Sequence, residues 1–305
     1  MKWSPYNHMF YSEKHGYLLY NIYSNTFFEF DRKTFSELEK IRESPDDHDY
    51  SNSMSLLLQL QSAGILIKDE TSPQLELNLN NTVNRFAPRN LALTIAPTRD
   101  CNFECPYCYE EDRPSIYMSD ETVEKTIRFI KKYRNFNRKN ISWYGGEPLL
   151  CWDIIQRISD SLLGDDIDFS ADIITNGYLL TPEKVRRLDE LNIRLIQITL
   201  DGMEETHNTR RSPKDTKDSF ERIIENMDYL IKNWKGRLSI RINVDRENHE
   251  EYHKVYTMLR ERYSEYKNRL NIYPGIVKDY SGTCITASSC GLDRIEMQQF
   301  MFECY

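Results

Sequence analysis

Residues 91–109 read LALTIAPTRDCNFECPYCY. The opening run, LALTIAP (91–97), has the apolar and β-branched composition of a buried strand. It passes without a helix into a loop carrying Cys101, Cys105 and Cys108. Thiols buried as small hydrophobes have no reason to crowd one loop. Zinc usually takes cysteines in CxxC pairs that close at four ligands. Iron–sulfur cubes are also held by Cys thiolates, usually four, so a set of three leaves one iron of a [4Fe–4S] cluster open to another ligand. An open iron is a place where a cofactor or substrate can chelate.

Downstream, strands alternate with amphipathic helices. Strands are predicted at 141–145, 171–175, 194–200, 238–244 and 270–275, and helices at 119–133, 181–191 and 219–234, each helix opening on Ser, Thr or Pro in its cap positions. That alternation is the signature of βα units on a parallel sheet, so the fold class is α/β. In such folds chemistry sits on the loops that leave the strand C-terminal ends. The second strand ends in Trp143-Tyr144-Gly145-Gly146-Glu147-Pro148. Gly145 and Gly146 let backbone approach a ligand, and their carbonyls with the Glu147 carboxylate make a pocket for an ammonium group. Cys151, four residues on, reads as a small buried hydrophobe. The third strand ends in Asn176-Gly177 and the fourth in Thr199-Leu200-Asp201-Gly202, where the polar side chains either face a ligand or serve ordinary turns. In the fifth strand Arg241 and Asn243 alternate with Ile240, Ile242 and Val244 and so face opposite to the apolar set.

The CxxxCxxC spacing, with Tyr107 before the last cysteine and GGE one strand later, resembles the radical S-adenosylmethionine (SAM) superfamily over roughly residues 90–280. The resemblance implies a partial (β/α)6 barrel over 81–280. It implies that Cys101, Cys105 and Cys108 ligate a [4Fe–4S] cluster, that SAM chelates the open iron, and that reductive cleavage yields a 5′-deoxyadenosyl radical that abstracts hydrogen. Tyr107 is then expected near the adenine, Gly145, Gly146 and Glu147 around the cofactor's amino group, and Asn176, Thr199 and Asn243 among its polar contacts. The stretch His207-Asn208-Thr209-Arg210-Arg211 is similar to the His-x-x-x-Arg of peptide-modifying members, making Arg211 the expected partner for a carboxylate of cofactor or substrate; Asp201, at the mouth of the fourth strand, is the candidate for a catalytic role. Expected partners are a precursor peptide and a flavodoxin or ferredoxin-type electron donor. The products in view are a cross-link or an oxidised side chain. Alternatives are a sulfatase-type maturase forming formylglycine, and an inactive peptide-binding scaffold.

The remainder of the 305 residues frames this reading. Residues 17–30 read as a strand hairpin, 34–43 and 53–63 as helices, and 64–69 as a short strand. Together they predict a small winged-helix-like domain over 1–80, resembling elements that bind leader peptides by strand addition. The Asn-rich segment 71–90 is expected to be a linker or crossing strand. Residues 281–305 read as the start of a short or truncated SPASM extension, in which Cys284, Cys290 and Cys304 are too few for the usual auxiliary clusters. A formal charge of −8 argues against a nucleic-acid or anionic-lipid partner. With no signal-like apolar run and no span-length apolar stretch, a cytoplasmic protein is predicted.

Overall fold

The computed structural model describes residues 1–46, 50–51, 54–86, 90–108, 115–216, 218–277, 292, 296–297 and 300. Cys284, Cys290 and Cys304 lie outside them. The chain divides into two compact units, Met1–Pro88 and Arg89–Tyr305.

The first unit opens with β1 (Lys2–Trp3), β2 (Asn7–Ser12), β3 (Gly16–Asn21) and β4 (Thr26–Phe30), followed by α1 (Arg32–Glu43), α2 (Met54–Ser62), β5 (Leu66–Ile67) and α3 (Pro73–Phe86). Strands β2, β3 and β4 form an antiparallel sheet in that order, while β1 pairs with β5. The Asp31 side chain caps α1 by accepting from Thr34 N at 2.6 Å. That turns Phe35, Leu38 and Ile41 to a common buried face. Leu38 and Ile41 join Leu19, Leu60, Ile65 and Leu66 in this unit's own core. Helix α3 corrects the expectation of a linker or strand over 71–90. Its Leu75, Leu77 and Leu79 alternate like a strand, but Leu75, Leu79 and Val83 also lie four residues apart, which is one helical face.

The second unit follows the expected alternation. Its elements are β6 (Asn90–Ile95), α4 (Asp120–Lys132), β7 (Arg138–Trp143), α5 (Trp152–Gly164), β8 (Ser170–Thr175), α6 (Pro182–Arg187), β9 (Ile193–Leu200), α7 (Glu204–Arg210), α8 (Phe220–Asn233), β10 (Arg237–Val244), α9 (Tyr252–Arg262) and β11 (Leu270–Ile276). Among the described residues the strands form one sheet in the order β6 to β11, every pair parallel. Sequential parallel neighbours joined by helices give the winding of a partial (β/α)6 barrel. A sheet covered by helices needs apolar strands, and β9 supplies Ile193, Ile196, Ile198 and Leu200, all fully buried. Helices α4, α5, α8 and α9 turn apolar faces to the same core. Because all the strands run one way, all their C-terminal ends open at one rim. No helix among the described residues is long and apolar enough to cross a membrane.

Candidate functional site

The cysteine loop leaves β6 and is tied down residue by residue. Thr98 Oγ1 donates to Ile116 O at 2.8 Å and accepts from Asp100 N at 2.9 Å. Asp100 accepts from Cys101 N at 2.9 Å, from the Tyr117 hydroxyl at 2.8 Å and from Lys214 Nζ at 3.1 Å. Partial burial works against its charge, but Tyr117 and Lys214 hold its carboxyl below the usual range. Farther on, Glu104 N donates to Ser212 O at 2.9 Å, and Asn176 Nδ2 donates to Asn102 Oδ1 at 2.8 Å. The loop is therefore gripped by segments that follow β8 and α7 in sequence.

The end of β7 grips it from another side. Gly146 N donates to Thr98 O at 3.2 Å and Glu147 N to Asp100 O at 2.9 Å. A Cβ at Gly145, whose φ is +117°, would sit 2.3 Å from Thr98 O, and one at Gly146 would sit 2.0 Å from Asp100 O. The glycine pair thus lets β7 press on the backbone of the cysteine loop, a closer approach than the ligand contact argued from sequence. Gly146→Ala should displace the loop, because the obstacle is main chain and cannot rotate away. Iron uptake on reconstitution should fall with it, and wild-type uptake in that variant would refute the contact.

A cavity of about 630 Å³ opens beside this loop, lined among others by Cys101, Cys105, Cys108, Tyr107, Gly145, Gly146, Asn176, Thr199, Arg211 and Asn243. Seven positions expected from sequence to touch the cofactor thus line the same cavity as the three thiols. Glu147 and Asp201 do not line it. Glu147 is fully buried. Its carboxylate accepts from Leu149 N at 3.0 Å, Thr175 Oγ1 at 2.7 Å and Asn176 N at 2.8 Å. Burial pushes its pKa up, and those three donors pull back toward ionisation. Its visible task is to clasp the ends of β7 and β8. Asp201 is fully buried as well. Arg210 Nε donates to its Oδ2 at 3.2 Å, Arg211 Nη1 lies 3.6 Å from its Oδ1, and Arg210 also pairs with Asp245. Burial works against the Arg210 charge, but Asp245 and Asp201 more than offset it and raise its pKa.

Arg211 and Asn243 converge on one phenol. Arg211 Nη1 donates to the Tyr107 hydroxyl at 2.8 Å and Asn243 Nδ2 to the same oxygen at 3.2 Å. Burial holds that phenol well above its usual pKa, against the pull of Arg211. Burial, helped by the nearby Arg211 charge, holds the His207 pKa well below its ordinary value, and Asp201 N donates to its Nδ1 at 3.4 Å. Sequence reasoning missed Thr94, Arg99, Ser142 and Gln197 in the lining and the Arg210–Asp245 pair behind it. The β6 and β7 register, pairing Thr94 with Ser142, is what sets those two polar side chains side by side.

The residues present suit an iron–sulfur cube. Cys101, Cys105 and Cys108 are free thiols on one wall of the cavity. Three thiols from one loop match three corners of a cluster and leave its fourth iron to another ligand. Burial pushes the Cys101 thiol up to about 11, with nearby Arg211 acting the other way. Cys151 is buried, with Sγ 3.8 Å from Pro97 O and its pKa pushed up to about 11 by burial; it is absent from the lining.

Comparison with known proteins agrees with this geometry. The radical SAM cyclopropyl synthase TigE of Paramaledivibacter caminithermalis is 27% identical over 214 residues, covering 62% of this chain and 43% of that protein. The serine-type anaerobic sulfatase-maturating enzyme of Bacteroides thetaiotaomicron is 32% identical over 144 residues, 43% of this chain and 34% of that protein. This chain therefore spans less than half the length of either relative. Among solved structures, anSMEcpe with bound AdoMet and the Cp18Cys peptide superposes with a TM-score of 0.59 at 22% identity, over 71% of this chain and 60% of that one. Streptococcus suis SuiB bound to the precursor peptide SuiA gives 0.53 at 16% identity, over 99% and 69%. The family model described as the radical SAM superfamily matches residues 95–259, which hold the three-cysteine loop, the GGE clasp and the strand ends around the cavity. The chain belongs to the radical SAM superfamily, whose members bind a [4Fe–4S] cluster and S-adenosylmethionine.

Proposed function

We propose that this chain modifies a ribosomally made peptide by hydrogen abstraction, giving a cross-link or an oxidised side chain. The observation that carries the reading is one cavity lined both by Cys101, Cys105 and Cys108 and by polar residues at the ends of β8, β9 and β10. Bound there, the cluster and SAM supply a 5′-deoxyadenosyl radical. Cys101, Cys105 and Cys108 would ligate the cluster, and the clasped ends of β7 and β8 fix the loop that carries them. Gly145 and Gly146 present backbone to the cofactor's amino group, while Tyr107, Asn176, Thr199 and Asn243 offer polar and aromatic contacts to its nucleoside. Arg211 holds the Tyr107 hydroxyl in place from the Asp201 side. Electrons come from a flavodoxin or ferredoxin-type donor.

The first unit serves as the peptide-recognition element in this reading. Strands β2 and β4 are the outer strands of its sheet, and neither has a second partner among the described residues, so each offers a row of main-chain groups for strand addition. Two solved structures of similar fold carry peptides, as their descriptions state, which supports a peptide substrate over a small molecule. Formation of formylglycine is the second reading, favoured by the sulfatase-maturating relative.

Anaerobic incubation with SAM and dithionite tests the first half. Slow formation of 5′-deoxyadenosine without peptide is expected, and none from cluster-loaded protein would reject the enzyme reading in favour of a binding scaffold. Deleting residues 1–88 tests the second half. Because that unit has a core of its own, the deletion should abolish binding of a precursor peptide encoded beside the gene while sparing most 5′-deoxyadenosine formation. Equal peptide binding by the truncated and full chains would leave the unit without a recognition role.

A further inference from the structure

Three arginines line the cavity, Arg99, Arg211 and Arg241, and Arg241 is held in a way that leaves its charge to a ligand. It rises from β10 with Thr199 of β9 and Tyr273 of β11 as its register partners. Its Nε donates to Asn243 Oδ1 at 2.9 Å. Among the described residues, no hydrogen bond or carboxylate engages Nη1 or Nη2. By contrast Arg211 is committed to Tyr107 and Asp201.

The placement depends on a neighbour without a side chain. A Cβ at Gly275 of β11 would sit 2.0 Å from Arg241 Nε and 2.8 Å from its Cζ. Gly275 therefore opens the slot in which the guanidinium lies, while Asn243 fixes the rotation of its plane. The pair of nitrogens left over has the parallel-donor geometry that matches a carboxylate. Among the described lining residues there is no Asp or Glu to take them. Gln197, the nearest amide on β9 that also lines the cavity, already accepts from the Tyr273 hydroxyl at 2.7 Å.

We propose that Arg241, seated against Gly275, is the carboxylate anchor of the cavity. The proposal rests on the reading of that cavity as the chamber for cofactor and substrate, and it names a residue for one recognition task within it. The carboxylate belongs either to the methionyl part of SAM or to an acidic group of the substrate, and both present the same two oxygens to the guanidinium.

The test uses the full chain, reconstituted anaerobically. Equilibrium dialysis with SAM and with its decarboxylated analogue reads the first source, and saturation-transfer NMR with N-acetylglutamate amide reads the second. Arg241→Gln should weaken one carboxylate probe roughly 10- to 100-fold, as loss of a charge-assisted pair implies, and leave the decarboxylated analogue within about twofold. Gly275→Ala should weaken the same probe, because the new methyl displaces the end of a flexible side chain without removing its charge. Arg241→Lys should restore part of the loss. An effect confined to SAM assigns the cofactor's carboxylate, and one confined to N-acetylglutamate amide assigns the substrate's. If all three variants bind both carboxylate probes as the wild type does, the anchor is overturned, and a wild type that takes up neither probe overturns it too. A wild type that binds N-acetylglutamate amide through Arg241 but takes up no SAM would leave the anchor standing and reject the cofactor reading instead.

Discussion

Replacing Cys101, Cys105 and Cys108 together with alanine should strip the reconstituted protein of nearly all its iron, from about four atoms per chain to a trace, with loss of the broad visible absorbance of an iron–sulfur cluster. The expectation follows from placement. All three thiols face one cavity, and the remaining described cysteine, Cys151, is buried away from it with its thiol pushed up to about 11. Cys151 is therefore a poor substitute ligand, since the thiolate is the form that binds metal. Iron and acid-labile sulfide assays on the triple variant settle the matter: a retained full load would move the cluster elsewhere in the chain. Substantially more than four irons in the wild type would show that Cys284, Cys290 and Cys304 hold a second cluster.

The second large effect is expected at Glu147, as a loss of stability. Alanine there leaves Leu149 N, Asn176 N and the Thr175 hydroxyl without their acceptor in a fully buried position. Each unsatisfied buried donor costs about 1–3 kcal/mol, offset in part by relief of a buried charge, so a net loss of roughly 3–5 kcal/mol is expected. For a unit of this size that is a fall in Tm on the order of 10 °C. Glu147→Gln keeps one acceptor oxygen and should fall between. Thermal denaturation of the cluster-free protein is the measurement, because it separates the clasp from any contact with cofactor. A Glu147→Ala protein as stable as the wild type, with weaker SAM binding, would return the carboxylate to the ammonium pocket argued from sequence.

The contrast at Glu147 shows where sequence reasoning runs out. The six barrel strands were legible because each is a short apolar run between capped amphipathic helices, a pattern set by burial on both faces of a parallel sheet. The cysteine loop was legible because its spacing encodes its chemistry. The direction of a carboxylate at a strand end is different, since it depends on which backbone N–H groups the next strand brings near, and Asn176 is 29 residues away. The Arg210–Asp245 pair, 35 residues apart, was hidden for the same reason. Helix α3 was hidden locally, since Leu75, Leu77 and Leu79 satisfy a period of two as well as Leu75, Leu79 and Val83 satisfy a helical one.

The bracing of the cysteine loop also sets an order in time. Asn102 is held by Asn176, 74 residues later, and Asp100 by Lys214, 114 residues later. A chain synthesised from its N-terminus exposes Cys101, Cys105 and Cys108 well before either brace exists, and contacts of such long range are among the slower ones to form. Iron delivered to the nascent chain would meet three thiols on an unanchored loop, open to oxidation and to the wrong metal. Cluster insertion is best matched to a chain whose residues through Lys214 have already folded, so the maturation machinery should recognise the completed barrel rather than the cysteine motif alone.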